Sequence, residues 1–155
     1  MVHAHDHQDI LKSCRVLLDC GSQANFISKK FLTKLGLISR SQDVAILGVN
    51  GTVATTTQAV QVKLQSRIGS YCATIDCIVV DRVTDKLPGI TLRRKDFKFP
   101  RNIKLADPQF HVSSEIDILI GAEIFWDLLC VGQISSSDRH PKLQKTRLGW
   151  ILAGI

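Results

Sequence analysis

No apolar run in the 155-residue sequence approaches the ~20 residues that a membrane-spanning helix needs. The first residues, Met1-Val2-His3-Ala4-His5-Asp6-His7, lack the basic start and apolar core of a signal peptide. The expectation is a protein of the cytoplasm with no membrane association. The five cysteines, Cys14, Cys20, Cys72, Cys77 and Cys130, are odd in number and form no C-x-x-C pair. Neither a full disulfide framework nor a zinc knuckle is therefore indicated, and reduced, mostly buried thiols are expected. There is no glycine-rich phosphate loop, no nucleophile elbow, no internal repeat and no linker that would divide the chain. No cofactor is implied.

What is present is 45% hydrophobic sequence, enough for one core in one domain spanning residues 1–155. Most of the net charge of +6 lies in one stretch. Arg93, Arg94, Lys95, Lys98, Arg101 and Lys104 are opposed there only by Asp96. It carries no nucleic-acid-binding motif and reads as a solvated loop rather than as a patch for nucleic acid or an acidic partner.

Strand signals dominate. Cys14 to Leu18 is a short apolar run. Asp43 to Leu47 leads into Gly48-Val49-Asn50-Gly51-Thr52, where Asn-Gly is a strong hairpin signal. Thr52 to Thr57 is the expected return strand. From Gln58 to Gln65, Val60, Val62 and Leu64 alternate with polar residues, the period of a half-buried strand. Tyr71 to Val80, Asp117 to Ile120 and Arg147 to Leu152 complete the set. Two short helices are expected, near Ser28 to Leu35 with Gly36 as a left-handed C-cap, and near Glu123 to Leu129. Residues 81–115 contain Pro88, Pro100 and Pro108 and read as a long irregular loop. These elements make a mainly β domain. His3, His5 and His7 alternate; a polar edge strand accounts for them better than a metal site, so no metal ligand is assigned.

The sharpest local feature is Leu17-Leu18-Asp19-Cys20-Gly21-Ser22. A carboxylate directly after an apolar strand, with glycine two residues on, is the pattern of an aspartic protease. Two apposed carboxylates cannot both ionise easily, so they share a proton. One takes a proton from water while the other donates to the scissile carbonyl. On this reading Gly21 avoids a clash in a close-packed turn and Ser22 hydrogen-bonds the outer carboxylate oxygen. Downstream, Ile118-Leu119-Ile120-Gly121-Ala122 is an apolar strand ending in glycine and followed by a helix. Between the two lies the Gly48–Thr52 hairpin, in the place of a substrate-covering flap.

The segment Arg15 to Ile27 resembles the catalytic-strand signature of the BEL/Pao retrotransposon aspartic peptidases. Leu35-Gly36-Leu37, Leu105 to Phe110, Ile116 to Ala122 with Trp126, and Leu148 to Gly154 are similar to further segments of that family, in the same order. The resemblance implies a retropepsin-like closed β barrel with two short helices. It also implies an endopeptidase that processes a retrotransposon polyprotein, in the cytoplasm or inside virus-like particles. Asp19, Gly21 and Ser22 would form the catalytic motif, Cys20, Ile120 and Gly121 would support the dyad, and Gly48, Val49, Asn50, Gly51 and Thr52 would form the flap. A second Asp-x-Gly is absent, so the dyad must come from two chains and the partners are a second copy and a polypeptide, not nucleic acid. The chain departs from the family in carrying Cys20 where a Ser or Thr hydroxyl is usual and in beginning close to the active-site strand, as if part of its first strand were missing. A catalytically inactive binding or dimerisation module, decayed or domesticated, is the alternative. A cellular retropepsin of the DNA-damage-inducible type shares the Asp-x-Gly start and the following helix, but not the Leu148–Gly154 ending.

Overall fold

The computed structural model describes residues 1–47, 53–135 and 141–153. In chain order its elements are β1 (Val2–His5), β2 (Leu11–Cys14), β3 (Val16–Leu18), β4 (Asn25–Ser28), α1 (Lys29–Leu35), β5 (Arg40–Leu47), β6 (Val53–Gln65), β7 (Cys72–Val80), β8 (Ile118–Ile120), α2 (Ala122–Leu128), β9 (Leu129–Ile134), β10 (Lys142–Thr146) and β11 (Gly149–Ala153). The fold is mainly β, as expected, and its two α-helices are short.

The main sheet runs β2-β1-β6-β7-β4-β8-β3, with β5 paired to β6. Its two end strands, β2 and β3, are consecutive in the chain and separated only by Arg15. The chain thus steps from one edge of the sheet to the other at a single residue, which curls the sheet into a nearly closed barrel. The apolar run from Cys14 to Leu18 is for the same reason two strands rather than one. Arg15 N–H donates to Asp117 Oδ2 (2.8 Å), and its carbonyl accepts from Asp117 N–H (2.9 Å). These bonds turn the chain from one ladder into the next.

The alternating residues of β6 behave as their period predicts. Val60, Val62 and Leu64 are buried, and Gln61 and Lys63 are exposed. They meet Ile75, Cys77 and Val79 of β7, with Ile27 of β4 and Ile118 and Ile120 of β8 in the same core. The expected return strand and the alternating strand are one element, continuous through residues 53–65.

Helix α1 begins where Ser28 Oγ accepts from Phe31 N–H and ends at Gly36, whose φ of 63° lets its N–H reach the Leu32 and Thr33 carbonyls. Phe31 and Leu35 are its buried face, each contributing roughly 1.5–3 kcal/mol on burial. Two strands of the C-terminal sheet, β9 and β10, were not evident from the sequence; that sheet has the order β11-β10-β9.

The N-terminal histidines do not lie on an edge strand. Strand β1 is interior, between β2 and β6, with Val2 and Ala4 in the core. His3 and His5 share its outer face. His7 lies beyond the strand with Nδ1 3.3 Å from the Leu35 carbonyl. The cysteines are also less buried than expected. Cys14 and Cys77 are in the core, while Cys20 and Cys72 are exposed. Burial pushes both core thiols up, that of Cys77 to about 12.

Asp6 closes the β1–β2 hairpin. Its Oδ1 accepts from the Gln8 and Ile10 amides (2.9 and 2.8 Å), and Lys12 Nζ stands 3.3 Å from Oδ2. Burial alone would raise its pKa, but the two amides and the ammonium together outweigh that and hold it below the ordinary value. A lowered carboxyl stabilises the fold fully above its unfolded pKa and loses that contribution as pH falls through the folded one. Unfolding midpoints measured from pH 6 down to pH 2 should therefore decline less steeply below about pH 4 in Asp6→Asn than in the parent chain. Parallel curves would show that the hairpin does not draw on this charge.

Candidate active site

Parallel pairing of β3 with β8 sets Val16 beside Ile118, Leu17 beside Leu119 and Leu18 beside Ile120. Asp19 follows as the first residue past the ladder, and its N–H still donates to the Ile120 carbonyl at 2.9 Å. The carboxylate therefore leaves the end of a half-buried strand at a fixed height. Gly21 N–H donates to Asp19 Oδ1 (2.9 Å), and Ser22 N–H to the Asp19 carbonyl (3.3 Å). Asp19 is half-buried. Its second oxygen has no hydrogen-bond partner among the described residues.

The loop after Asp19 is laced to the corner after β8. Ala122 N–H donates to the Ser22 carbonyl at 2.7 Å. Gly121 N–H donates to Oδ1 of the buried Asn25 (2.9 Å), whose Nδ2 donates to the Asp76 carbonyl (3.1 Å) and to Glu123 Oε2 (2.8 Å). A Cβ on Gly121 would stand 2.5 Å from the Ala24 carbonyl oxygen and 2.6 Å from that of Ser22. Both obstacles are backbone, so neither can swing aside. Gly121→Ala is expected to cost about 2–3 kcal/mol, a fall of roughly 4–12 °C in the thermal midpoint. An unchanged midpoint would mean that the two loops part without cost.

The structure revises three details of the sequence reading. The close approach that forbids a side chain is at Gly121; at Gly21 the nearest atom to an added Cβ is Asp19 Oδ1, at 3.3 Å. The Ser22 hydroxyl donates to the Ala24 carbonyl (2.7 Å) and not to the carboxylate. That carbonyl is only two residues away, and the Gly21 amide already holds Asp19 Oδ1. Cys20 is exposed beside Asp19, against the expectation of mostly buried thiols. The flap residues Gly48, Val49, Asn50, Gly51 and Thr52 lie outside the described residues. The strands on either side of them are paired antiparallel up to Leu47 with Val53.

Asp19 and Cys20 line a cavity of about 430 Å³ whose walls include Leu18, Phe110, Phe125 and Trp150. One other carboxylate lines it, that of Asp107. Asp107 Oδ2 accepts from Arg15 Nε (2.7 Å) and Oδ1 from the Gln109 amide (2.8 Å), so both its oxygens are committed. In this cavity Asp19 alone offers an unengaged carboxylate oxygen.

Arg15 is the residue that the sequence reading undervalued. It is buried, and besides Asp107 its guanidinium donates to the carbonyls of Leu87 (2.9 Å), Val112 (2.8 Å) and Gln109 (2.7 Å). The long irregular segment 81–115 is thus fastened to a point four residues before Asp19. The same segment is tied to β11, since Ala106 N–H donates to the Trp150 carbonyl and Trp150 N–H to the Lys104 carbonyl. An arginine inside an apolar strand run was the available signal.

A comparison with curated proteins gave no match. A family model described as aspartyl protease matches residues 8–124. The matched span holds Asp19, α1, both strands that flank the hairpin, β8 and Gly121, and stops before the C-terminal sheet. The nearly closed barrel is consistent with the aspartic protease fold. The chain belongs to the aspartyl protease family.

Proposed function

We propose that the chain is an aspartic endopeptidase whose dyad is assembled from two copies, and that its substrate is the polyprotein of a BEL/Pao-type retrotransposon. The observation that carries this reading is the setting of Asp19. Its backbone is bonded to β8, one carboxylate oxygen is held by Gly21, and the other is open to an apolar cavity. One such carboxylate can take a proton from water. Peptide hydrolysis by this chemistry also needs a protonated carboxyl that donates to the scissile carbonyl oxygen. With Asp107 committed to Arg15 and only one Asp-x-Gly in the sequence, a second copy related by a two-fold axis supplies the partner. The exposed position of Cys20 beside Asp19 suits a contact across that axis. Support for the lineage comes from the contacts of Arg15 with Asp107 and of Lys104 and Ala106 with Trp150, which join three of the resembling segments into one unit.

The test is cleavage of a peptide library by the purified chain, with and without a transition-state inhibitor of aspartic proteases. Inhibitor-sensitive cleavage is expected. Specific activity should also fall on dilution through the dimer dissociation constant, because each site needs two chains. Sedimentation run beside the activity titration would refute the two-chain site if a monomer proved fully active. One feature favours the second reading, an inactive binding module: a thiol donates hydrogen bonds more weakly than the hydroxyl usual at the Cys20 position. A dimer that binds peptide and never cleaves it would select that reading.

A further inference from the structure

We propose that the basic loop 93–104 is a distal subsite for acidic side chains of the polypeptide substrate, reached across Phe110 from the cavity that holds Asp19. The proposal rests on the peptidase reading above and adds a substrate class to it. The loop holds six cations and one acid, a local charge of +5 against +6 for the whole chain. The remainder of the sequence is close to neutral, so this charge is placed and not spread for solubility. Arg93 is paired to Asp96 at 3.1 Å. Lys95, Lys98, Arg101 and Lys104 are exposed, and none forms an ion pair among the described residues.

The loop is not a loose tether. Phe97 and Phe99 pack edge-on against Phe110, with centroids 5.2 and 5.4 Å away, and the Arg94 guanidinium lies 5.6 Å from the rings of both Phe99 and Phe110. Phe110 is also a wall of the Asp19 cavity. Phe97 and Phe99 in turn line a groove of about 450 Å³ with Arg94, Lys95 and Arg101, so this aromatic cluster stands between the cavity and the groove. An extended peptide advances about 3.3 Å per residue, so an acidic residue about three to five positions from the scissile bond would reach the groove. Nucleic acid fits less well, because these rings pack on one another and under Arg94 instead of presenting open faces for bases.

The experiment compares two peptides with the same apolar centre around the scissile bond, one flanked by Asp and Glu about three to five residues out and one by Ser and Gln. The parent chain is expected to favour the acidic peptide by about tenfold in kcat/KM at low salt, through KM, and to lose that preference in 0.5 M salt, a level chosen as roughly sufficient to screen exposed charges. The triple variant Lys95→Glu, Lys98→Glu, Arg101→Glu should reverse the order of the two peptides. Equal kcat/KM for both peptides in the parent chain, or an unchanged preference in the variant, would overturn the subsite. Anisotropy of the labelled peptides on the Asp19→Asn chain reads the subsite without cleavage. Equal binding there overturns it, as does single-stranded RNA of the same charge binding more tightly than the acidic peptide. Failure to cleave either peptide overturns the peptidase reading instead, so the two failures are distinct.

Discussion

Asp19→Asn is expected to lower kcat/KM for peptide cleavage by about 10³-fold or more, with a shift of no more than about 2 °C in the thermal midpoint. The two halves of this expectation have separate causes. An amide can neither take a proton from water nor share one with an opposing carboxyl, so on the two-chain reading proposed above the acid–base chemistry is lost in both halves of the pair. The fold is spared because the side chain has one internal partner, the Gly21 amide, which the Asn carbonyl oxygen accepts from equally well. The backbone bond to Ile120 is unaffected by the change. If the site is assembled from two copies as proposed, replacing the two carboxyls with amides also removes any charge repulsion between them, so dimerisation should not weaken. Lost activity could not then be blamed on dissociation. Steady-state kinetics, thermal unfolding and sedimentation of the two chains decide the matter together. Cleavage at the parental rate would remove Asp19 from the chemistry.

The parts of the fold written in local patterns were legible. Ser28, Phe31 and Gly36 announced the first helix from cap to cap, and the alternation at Val60, Val62 and Leu64 gave the buried face of β6. The strand end at Asp19 and the glycine corner at Gly121 were legible because such features leave a short-range signature. What escaped detection depends on distant partners. Strands β9 and β10 carry mixed sequences, Leu129–Ile134 and Lys142–Thr146, whose pairing satisfies them only once the chain has turned back. Strand β1 looked like a polar edge because two of its four residues are histidines; Val2 and Ala4 turn out to be its inner face. The Ser22 hydroxyl was assigned to the carboxylate on chemical grounds, but the Ala24 carbonyl competes for it two residues away.

Arg15 is the clearest case of information that the sequence holds but local reading cannot extract. As a residue type it suggests a solvated cation, whereas in the fold it is buried and its side chain donates to four acceptors that lie 72 to 97 residues away in sequence. The loop it fastens has little regular structure of its own, so its order depends on such a pin. Because the pin sits between β2 and β3, it also fixes where the chain crosses from one edge of the barrel to the other, immediately upstream of Asp19.

Arg15→Met is accordingly expected to destabilise the domain by about 3–5 kcal/mol. Methionine keeps the apolar stem and removes the charged fork. That leaves Asp107, a partly buried carboxylate, without its cation, and leaves the carbonyls of Leu87, Gln109 and Val112 without this donor. Neutralising the carboxylate as well separates the two contributions. In the double variant Arg15→Met, Asp107→Asn the penalty for an unpaired charge is gone, while the Val112 carbonyl is left without a donor among the described residues, at about 1 kcal/mol or more, and the Leu87 and Gln109 carbonyls keep only the Ser114 and Val112 amides. The double variant should therefore recover only part of the loss. Arg15→Lys should fall between the parent and Arg15→Met, since one ammonium cannot span acceptors set out for a planar fork. Chemical unfolding of the parent, Arg15→Met, Asp107→Asn and the double variant gives the cycle directly, with Arg15→Lys measured beside them. Hydrogen exchange should show where the loss is felt, with faster amides at Leu87, Leu92 and Val112, whose N–H groups are bonded within the irregular segment. If Arg15→Met unfolds within about 1 kcal/mol of the parent, the segment holds itself in place and the four bonds are a consequence of its order rather than the cause.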